Sequence, residues 1–559
     1  MRREVSIVNK KVCSFPILFA LLALLIGTCA VVFPASAQAV PTSTGSITVS
    51  GTVARSYDAY QIFSANVVDG DSDAKIATDL AWASDAVRDA ALPVLHSAGM
   101  PNSQTTAQEA AEWLNADSHL TSALSAQLAR SLQSSDAVPL NAGTASELPC
   151  GYWLIVADDD SIAQGEAGTA PVMALVSGSA VTVKPKAATP KVVKHVLEDS
   201  TAAWQKAADA TVADDLYWRL SATVPAGLTA YDTYTVQFVD TMSAGLDPSK
   251  VAASMHVYVA AGADGDFDAV STSKDGRVGT DPAKGWTDIT VQCRVSVDGK
   301  SFTVRTGDLI AALGGADAFT AGARVVAVYN APLNSACNHG IAKGNPNEVY
   351  LRYPRSPLAD QSGDAGFTRT PSDDACAYTW DLALTKRGSD GDKPLAGAVL
   401  SITDDRGRTL SADGTWDAEG KATVTTGEDG RVTVSGVDSG KLEVRELKAP
   451  KGYTAFEGTR SVTVKAEGLD VDQVAAAKPK LTITAESPLR ADSADGSTGS
   501  LEASLINTPT GTPPSITTGG FMPSTGDMAM YAAAAAAVAG AALIVVALLV
   551  KRGGGSHKE

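Results

Sequence analysis

Three patterns of apolar spacing succeed one another along the chain. From about residue 40 to residue 183, the strand-like stretches SITVSGTV and GYWLIVA bracket helix-like segments. One of these carries Leu120, Leu124, Leu128 and Leu132, a four-residue repeat that stacks side chains on one helical face. An α+β unit is predicted here. KPKAATPK then breaks the pattern with two prolines, and alternation takes over. In LYWRLSATV, for example, Leu216, Trp218, Leu220, Ala222 and Val224 share one strand face,. A second, β-rich unit should run to about Tyr353. The polar stretch PRSPLADQSGDAGFTRTPSDD reads as a linker, and from Ala377 to about Asn507 short strands with Gly/Asp turns predict a β-sandwich,. The fold class expected is mainly β, with an α+β unit in front.

Both ends carry targeting patterns. Arg2, Arg3, Lys10 and Lys11 precede an apolar run at 15–33 and then ASAQA, the layout of a signal peptide cleaved after Ala37 or Ala39. Near the other end, the apolar run 528–550 could cross the ~30 Å hydrocarbon core, with Lys551 and Arg552 as a positive-inside stop,. A span alone has no use for the pentapeptide Met522-Pro523-Ser524-Thr525-Gly526 that stands just outside it. The expected order is therefore signal peptide 1–37, N-terminal unit 38–186, middle unit 187–356, linker 357–376, third unit 377–508, linker with pentapeptide 509–526, transmembrane helix 527–550 and basic tail 551–559.

Composition removes several function classes. The net charge is −17 with no block of Lys/Arg to neutralise phosphates, so nucleic acid is not an expected partner,. Cys13 and Cys29 leave with the signal peptide, and Cys150, Cys293, Cys337 and Cys376 then sit in an oxidising setting that permits up to two disulfides,. None has zinc-pair spacing. The histidines are scattered, with no H-E-x-x-H and no G-x-S-x-G, which argues against a hydrolase. Asp264, Asp266 and Asp268 lack the glycine of a calcium loop and read as a solvated turn,. No metal, no cofactor and no turnover enzyme are expected.

The chemistry lies in charges on apolar faces. Val192, Lys194 and Val196 share a strand face, as do Val236, Phe238 and Asp240, and Asn347, Val349, Leu351 and Tyr353,. The third unit repeats the order: Leu382, Leu384 and Lys386; then Leu442, Val444 and Glu446; then Ala503, Leu505 and Asn507. A single inward lysine is readily a strand-end residue snorkelling to water. Two matched Lys/acid/Asn sets point to chemistry. Burial favours a neutral amine and a protonated carboxyl. A neutral amine beside an amide carbonyl, with an acid to polarise the carbonyl and shuttle protons, can form a Lys–Asn isopeptide bond with loss of ammonia. Asp240 and Glu446 are the catalytic candidates; Lys194 with Asn347, and Lys386 with Asn507, are the partners to be joined.

These motifs resemble a known family. LEVRELKAPKGY is similar to the E-box of sortase-assembled pilins of Gram-positive bacteria, through Glu446, Ala449, Pro450, Gly452 and Tyr453, with Leu442, Val444 and Leu447 departing from the motif conservatively. LTKRGSDGDKPLAGAVLSI looks like the opening of a CNA-B type immunoglobulin-like domain, with Lys386 at the isopeptide lysine. KVVKHV, YTVQFVDTMSAGL and NPNEVYLRY resemble the middle domain of backbone pilins, with Lys194, Asp240 and Asn347 at the bond-forming positions. The pentapeptide is similar to the L-P-x-T-G sorting signal, with Met522 in place of leucine. AVTVKPKAATP resembles the pilin motif ending in Y-P-K, with Lys186 at the acceptor lysine and Lys184, in place of the tyrosine, as the rival.

The resemblance implies a structural backbone pilin of tandem immunoglobulin-like sandwiches. A sortase would cleave Thr525–Gly526 and join Thr525 to Lys186 of the next identical subunit, head to tail. Its implied partners are a class C pilus sortase, a housekeeping sortase, minor pilins and peptidoglycan; the implied location is the cell wall, by way of the membrane. A wall-anchored adhesin that does not polymerise is the alternative.

Overall fold

The computed structural model describes residues 43–511, apart from 52–53, 70–74, 117, 227 and 263–284. The signal peptide, the MPSTG pentapeptide, the transmembrane run, the basic tail and the Asp264/Asp266/Asp268 cluster all lie outside the described residues.

The first part is α+β. Ser56–Asp69 is the central strand, flanked by Lys75–Trp82 on one edge and by Gly151–Ala157 and then Val172–Val176 on the other, with Val138–Asn141 pairing to it as well. Three helices, Asp85–Ser97, Ala107–Asn115 and Ser122–Leu132, pack on this sheet. In the last helix Leu124, Leu128 and Leu132 are buried, as their spacing predicts. Leu120 precedes it, because the Thr121 hydroxyl accepts from Leu124 N and caps the first turn there,. A small sheet joins Thr44–Val49 to Ala145–Pro149 and, in parallel, to Val181–Val183.

The middle part is two facing sheets. One runs Ala203–Gln205, Val192–Glu198, Tyr217–Thr223, Arg324–Asn330, His256–Ala260, Trp286–Asp288. The other runs Ala207–Asp209, Asp373–Tyr378, Asn345–Pro354, Gln237–Met242, Ser301–Arg305, Arg294–Asp298, with Phe367–Arg369 added on Asn345–Pro354. Trp218, Leu220, Phe238, Tyr329, Val349 and Leu351 fill the space between them, each at most 1% exposed.

The expected linker 357–376 is corrected here. Phe367–Arg369 and Asp373–Tyr378 are ladder strands of the second sheet. Their charged residues hid this: Ala375 and Ala377 are fully buried, but the polar flanks masked the alternation. Asp373 uses its carboxylate to pair Lys206, so its charge is a contact within the fold.

The third part is also a sandwich. Trp380–Gly388 lies between Arg431–Val437 and Ser500–Pro509, pairing with the latter in parallel. The facing sheet is built around Val399–Thr403, Gly440–Lys448 and Thr459–Glu467. Trp380 and Leu384 from the first sheet meet Leu400, Val444 and Val462 from the second in one core. The four cysteines Cys150, Cys293, Cys337 and Cys376 are free, so neither permitted disulfide is formed. Burial pushes the thiols of Cys293, Cys337 and Cys376 up to about 11,.

Candidate functional site

The parallel ladder of the third part sets Lys386 opposite Leu505 and Gly388 opposite Asn507. Lys386 and Asn507 therefore lie diagonally on neighbouring strands, on the face that also carries Leu382, Leu384 and Leu505. The Lys386 ammonium donates to Asn507 Oδ1. Glu446 comes from the facing sheet: its Oε1 lies 3.1 Å from Lys386 Nζ. Asn507 Nδ2 donates to both of its oxygens, at 2.9 and 3.1 Å. Amine, amide and carboxylate close a triangle in a water-excluded core. The side chains of Lys386 and Glu446 are 0% exposed. Desolvation brings the Lys386 ammonium down to about 8, against the opposing pull of Glu446,.

The E-box residues explain how Glu446 is held. Tyr453 N donates to Pro450 O at 3.1 Å, and Gly452 sits at φ +87°, the left-handed position a turn of this kind reserves for glycine. The turn sends the chain back across the carboxylate, where Phe456 N donates to Glu446 Oε2 at 3.0 Å. The Phe456 ring then lies 5.9 Å from Lys386 Nζ,. Tyr453 itself anchors elsewhere, donating to Asp390 at 2.8 Å.

A second group forms between the sheets of the middle part. Lys194 points inward from Val192–Glu198 and is fully buried, while Asp240 and Asn347 come from adjacent strands of the opposite sheet. Lys194 Nζ pairs with Asp240 Oδ2. Burial brings this ammonium down to about 8 as well, and pushes the Asp240 carboxyl up,. The nearby Asn345 is equally buried, but its amide is engaged with backbone, accepting from Asn338 N and donating to Asn338 O and Ala377 O. Asn347 Oδ1 and Asp240 Oδ1 are buried without a hydrogen-bond partner.

The alternation of these strands did not single out Tyr329. Its hydroxyl lies within hydrogen-bond distance of Lys194 Nζ (2.9 Å), Asp240 Oδ2 (3.1 Å) and Asn347 Nδ2 (2.8 Å). The available signal was a phenol on the apolar face Val325, Ala327, Tyr329 of RVVAVYN. Asp373 was missed too, hidden in the supposed linker; its Oδ2 accepts from Lys194 N at 2.6 Å.

Lys184 and Lys186 are both exposed. The strand Val181–Val183 ends before them, so their exposure comes from the extended segment that follows and not from strand parity.

Residues 381–478 match the family profile described as SpaA: Prealbumin-like fold domain. The SpaA-type domain thus includes Lys386 and Glu446, and Asn507 follows on the closing strand. Among curated proteins, the chain is similar to the trypsin-resistant surface T6 protein of Streptococcus pyogenes serotype M6, 30% identical over 143 residues. That match spans 24% of this chain and 24% of the relative, about a quarter of its length. Two solved structures are similar at low identity. The T6 backbone pilin of serotype M6 Streptococcus pyogenes has TM-score 0.45 and 16% identity, covering 84% of this chain and 99% of that one. The full-length major pilin SpaD from Corynebacterium diphtheriae has TM-score 0.40 and 15% identity, covering 84% and 98%.

Proposed function

We propose that this chain is the backbone subunit of a covalent surface pilus, stiffened by two internal isopeptide bonds, Lys194–Asn347 and Lys386–Asn507. The observation that carries this reading is the closed triangle of Lys386, Glu446 and Asn507 in a dry core. A stability role alone does not account for it, because a buried ion pair seldom stabilises more than apolar packing of the same volume.

The chemistry follows from the geometry. Neutral Lys386 Nζ attacks Asn507 Cγ, and one proton passes from Nζ through Glu446 to Nδ2. The Cγ–Nδ2 bond breaks, ammonia leaves, and an Nζ–Cγ amide remains. Glu446 contacts both nitrogens, so it can take the proton from one and give it to the other,. Once formed, the amide removes the buried charge that favoured its formation. The reaction occurs once per chain, so the protein is a structural subunit and not a turnover enzyme.

Outside the domains, the proposed roles rest on sequence. A sortase cleaves Thr525–Gly526 in the MPSTG signal and joins Thr525 to Lys186 of the next subunit, and the finished fibre is anchored to peptidoglycan. Lys186 suits the acceptor role because it is exposed and follows the last strand of the first part. Intact-mass spectrometry of reduced protein tests the core of the reading. Two internal bonds make the chain lighter than its sequence by two ammonia; an unshifted mass removes the cross-link reading.

A further inference from the structure

The two sites differ in how the acid reaches the amide. In the third part, Glu446 touches the asparagine nitrogen directly through both oxygens. In the middle part Asp240, one methylene shorter, bonds Lys194 and Tyr329, while Asn347 Nδ2 donates to Tyr329. Among the described hydrogen bonds, acid and amide meet only through that phenol. Tyr329 is itself fixed: it is 0% exposed, sits on Arg324–Asn330 opposite Trp218 and packs edge-on against Phe302 at 4.8 Å.

We propose that the Tyr329 hydroxyl is a catalytic proton relay for the Lys194–Asn347 bond, so that the middle part works with a Lys/Asp/Tyr/Asn tetrad. This inference rests on the isopeptide reading above. When Lys194 Nζ attacks Asn347 Cγ, the phenol oxygen accepts one proton from Nζ while its own hydrogen, donated at rest to Asp240 Oδ2, turns to Nδ2. The Cγ–Nδ2 bond then breaks, ammonia leaves, and the tyrosine is regenerated unchanged. Asp240, hydrogen-bonded to both Nζ and the hydroxyl, holds the two in line and carries no net proton. Burial suits the phenol to this work: its pKa is raised well above the ordinary value, so it relays a proton without resting as a phenolate,. In effect, aspartate plus tyrosine spans the distance that glutamate spans alone in the third part.

The test is Tyr329→Phe in the full chain, read by peptide mapping of branched Lys194–Asn347 and Lys386–Asn507 peptides over time after synthesis. Loss of the hydroxyl should slow the middle bond on the order of 10²-fold, with the Lys386–Asn507 peptide forming as in wild type and reporting that the chain has folded. Equal rates in Tyr329→Phe and wild type would overturn the relay. Absence of the Lys194–Asn347 peptide from wild type is a different failure, since it removes the isopeptide reading of this part whatever Tyr329 does. If Tyr329→Phe does not fold, difluorotyrosine at position 329 decides. It keeps ring and hydroxyl but changes the acidity of the proton, so a relay predicts a changed rate of bond formation, and an unchanged rate reduces Tyr329 to a packing residue.

Discussion

Lys386 and Asn507 are 121 residues apart and meet side chain to side chain on neighbouring parallel strands. A bond between them ties the first long strand of the third part to its last. Pulling on either end then loads the bond before it loads the ladder of backbone hydrogen bonds between.

That placement sets the cost of leaving the bond unmade. Glu446→Ala should give a folded third part without its cross-link, because the acid touches both reacting nitrogens but is absent from the product. By analogy with a long-loop disulfide, the lost restriction of the unfolded chain is worth about 4–5 kcal/mol. Measured against its own sequence mass, the variant should keep the ammonia that wild type loses at that site; it should also melt earlier and digest faster. An ammonia still lost from that site, together with wild-type protease resistance, would leave Glu446 only its bond to Phe456 N.

The unlinked site has its own pH signature. In Asn507→Ala, Lys386 stays an amine whose ammonium is held at about 8 in the fold against an ordinary 10.5. Between those values the unfolded chain binds a proton that the folded chain does not, so stability rises with pH from about 8 to 10.5 and is flat below,. Denaturation of this variant across that range should show the rise. A flat profile there would mean that the ammonium stays charged in the core.

The junction between the middle and third parts should respond in the opposite sense. Trp380 Nε1 donates to Asp209 at 2.6 Å, Ser439 donates to the same oxygen, and Arg408 grips Asp214 with both terminal nitrogens. Glu198, Asp199 and Asp438 crowd in alongside, with Arg406 as a further cation. Burial, and then the charge of Asp209, raises Glu198 from 4.5 to about 7, and burial raises Asp438 also. Over that interval the folded chain holds protons that the unfolded chain releases, so stability falls as pH rises from about 4.5 to 7,. The loss should be on the order of 3 kcal/mol, and Glu198→Gln should flatten it. A melting temperature that does not change over this interval would rule it out.

The E-box turn can be tested apart from the chemistry. A Cβ at Gly452 would meet nothing within 4 Å, yet the residue stands at φ +87°. Gly452→Ala should therefore cost roughly 1 kcal/mol from backbone conformation alone. Measured in the unlinked Glu446→Ala background, this appears as a melting point a few degrees lower; no change would mean that the turn is not under strain.

On the proposed reading, polymerisation depends on the acceptor. Lys186→Ala should abolish high-mass ladders in wall digests while leaving both internal bonds intact. Ladders that persist with Lys184 in the branched peptide would move the acceptor two positions. Ladders lacking both lysines would refute the assignment.

Strand parity alone turned Lys194, Asp240, Asn347, Lys386, Glu446 and Asn507 inward, and all six are buried. Side-chain alternation is a local property, so the chain states it without reference to any partner. The same holds for the leucines of Ser122–Leu132 and for the glycine of the E-box turn. Which strands lie side by side is not local. Only the tertiary structure places Lys386 and Asn507 within one sheet but Lys194 and Asn347 on opposite sheets, makes strands of 367–369 and 373–378, and leaves the four cysteines free. It also brings a phenol from a separate strand, Arg324–Asn330, into hydrogen bonds with both Asp240 and Asn347. Sheet pairing joins residues a hundred or more positions apart, and its energy comes from surfaces that do not exist until the chain has closed.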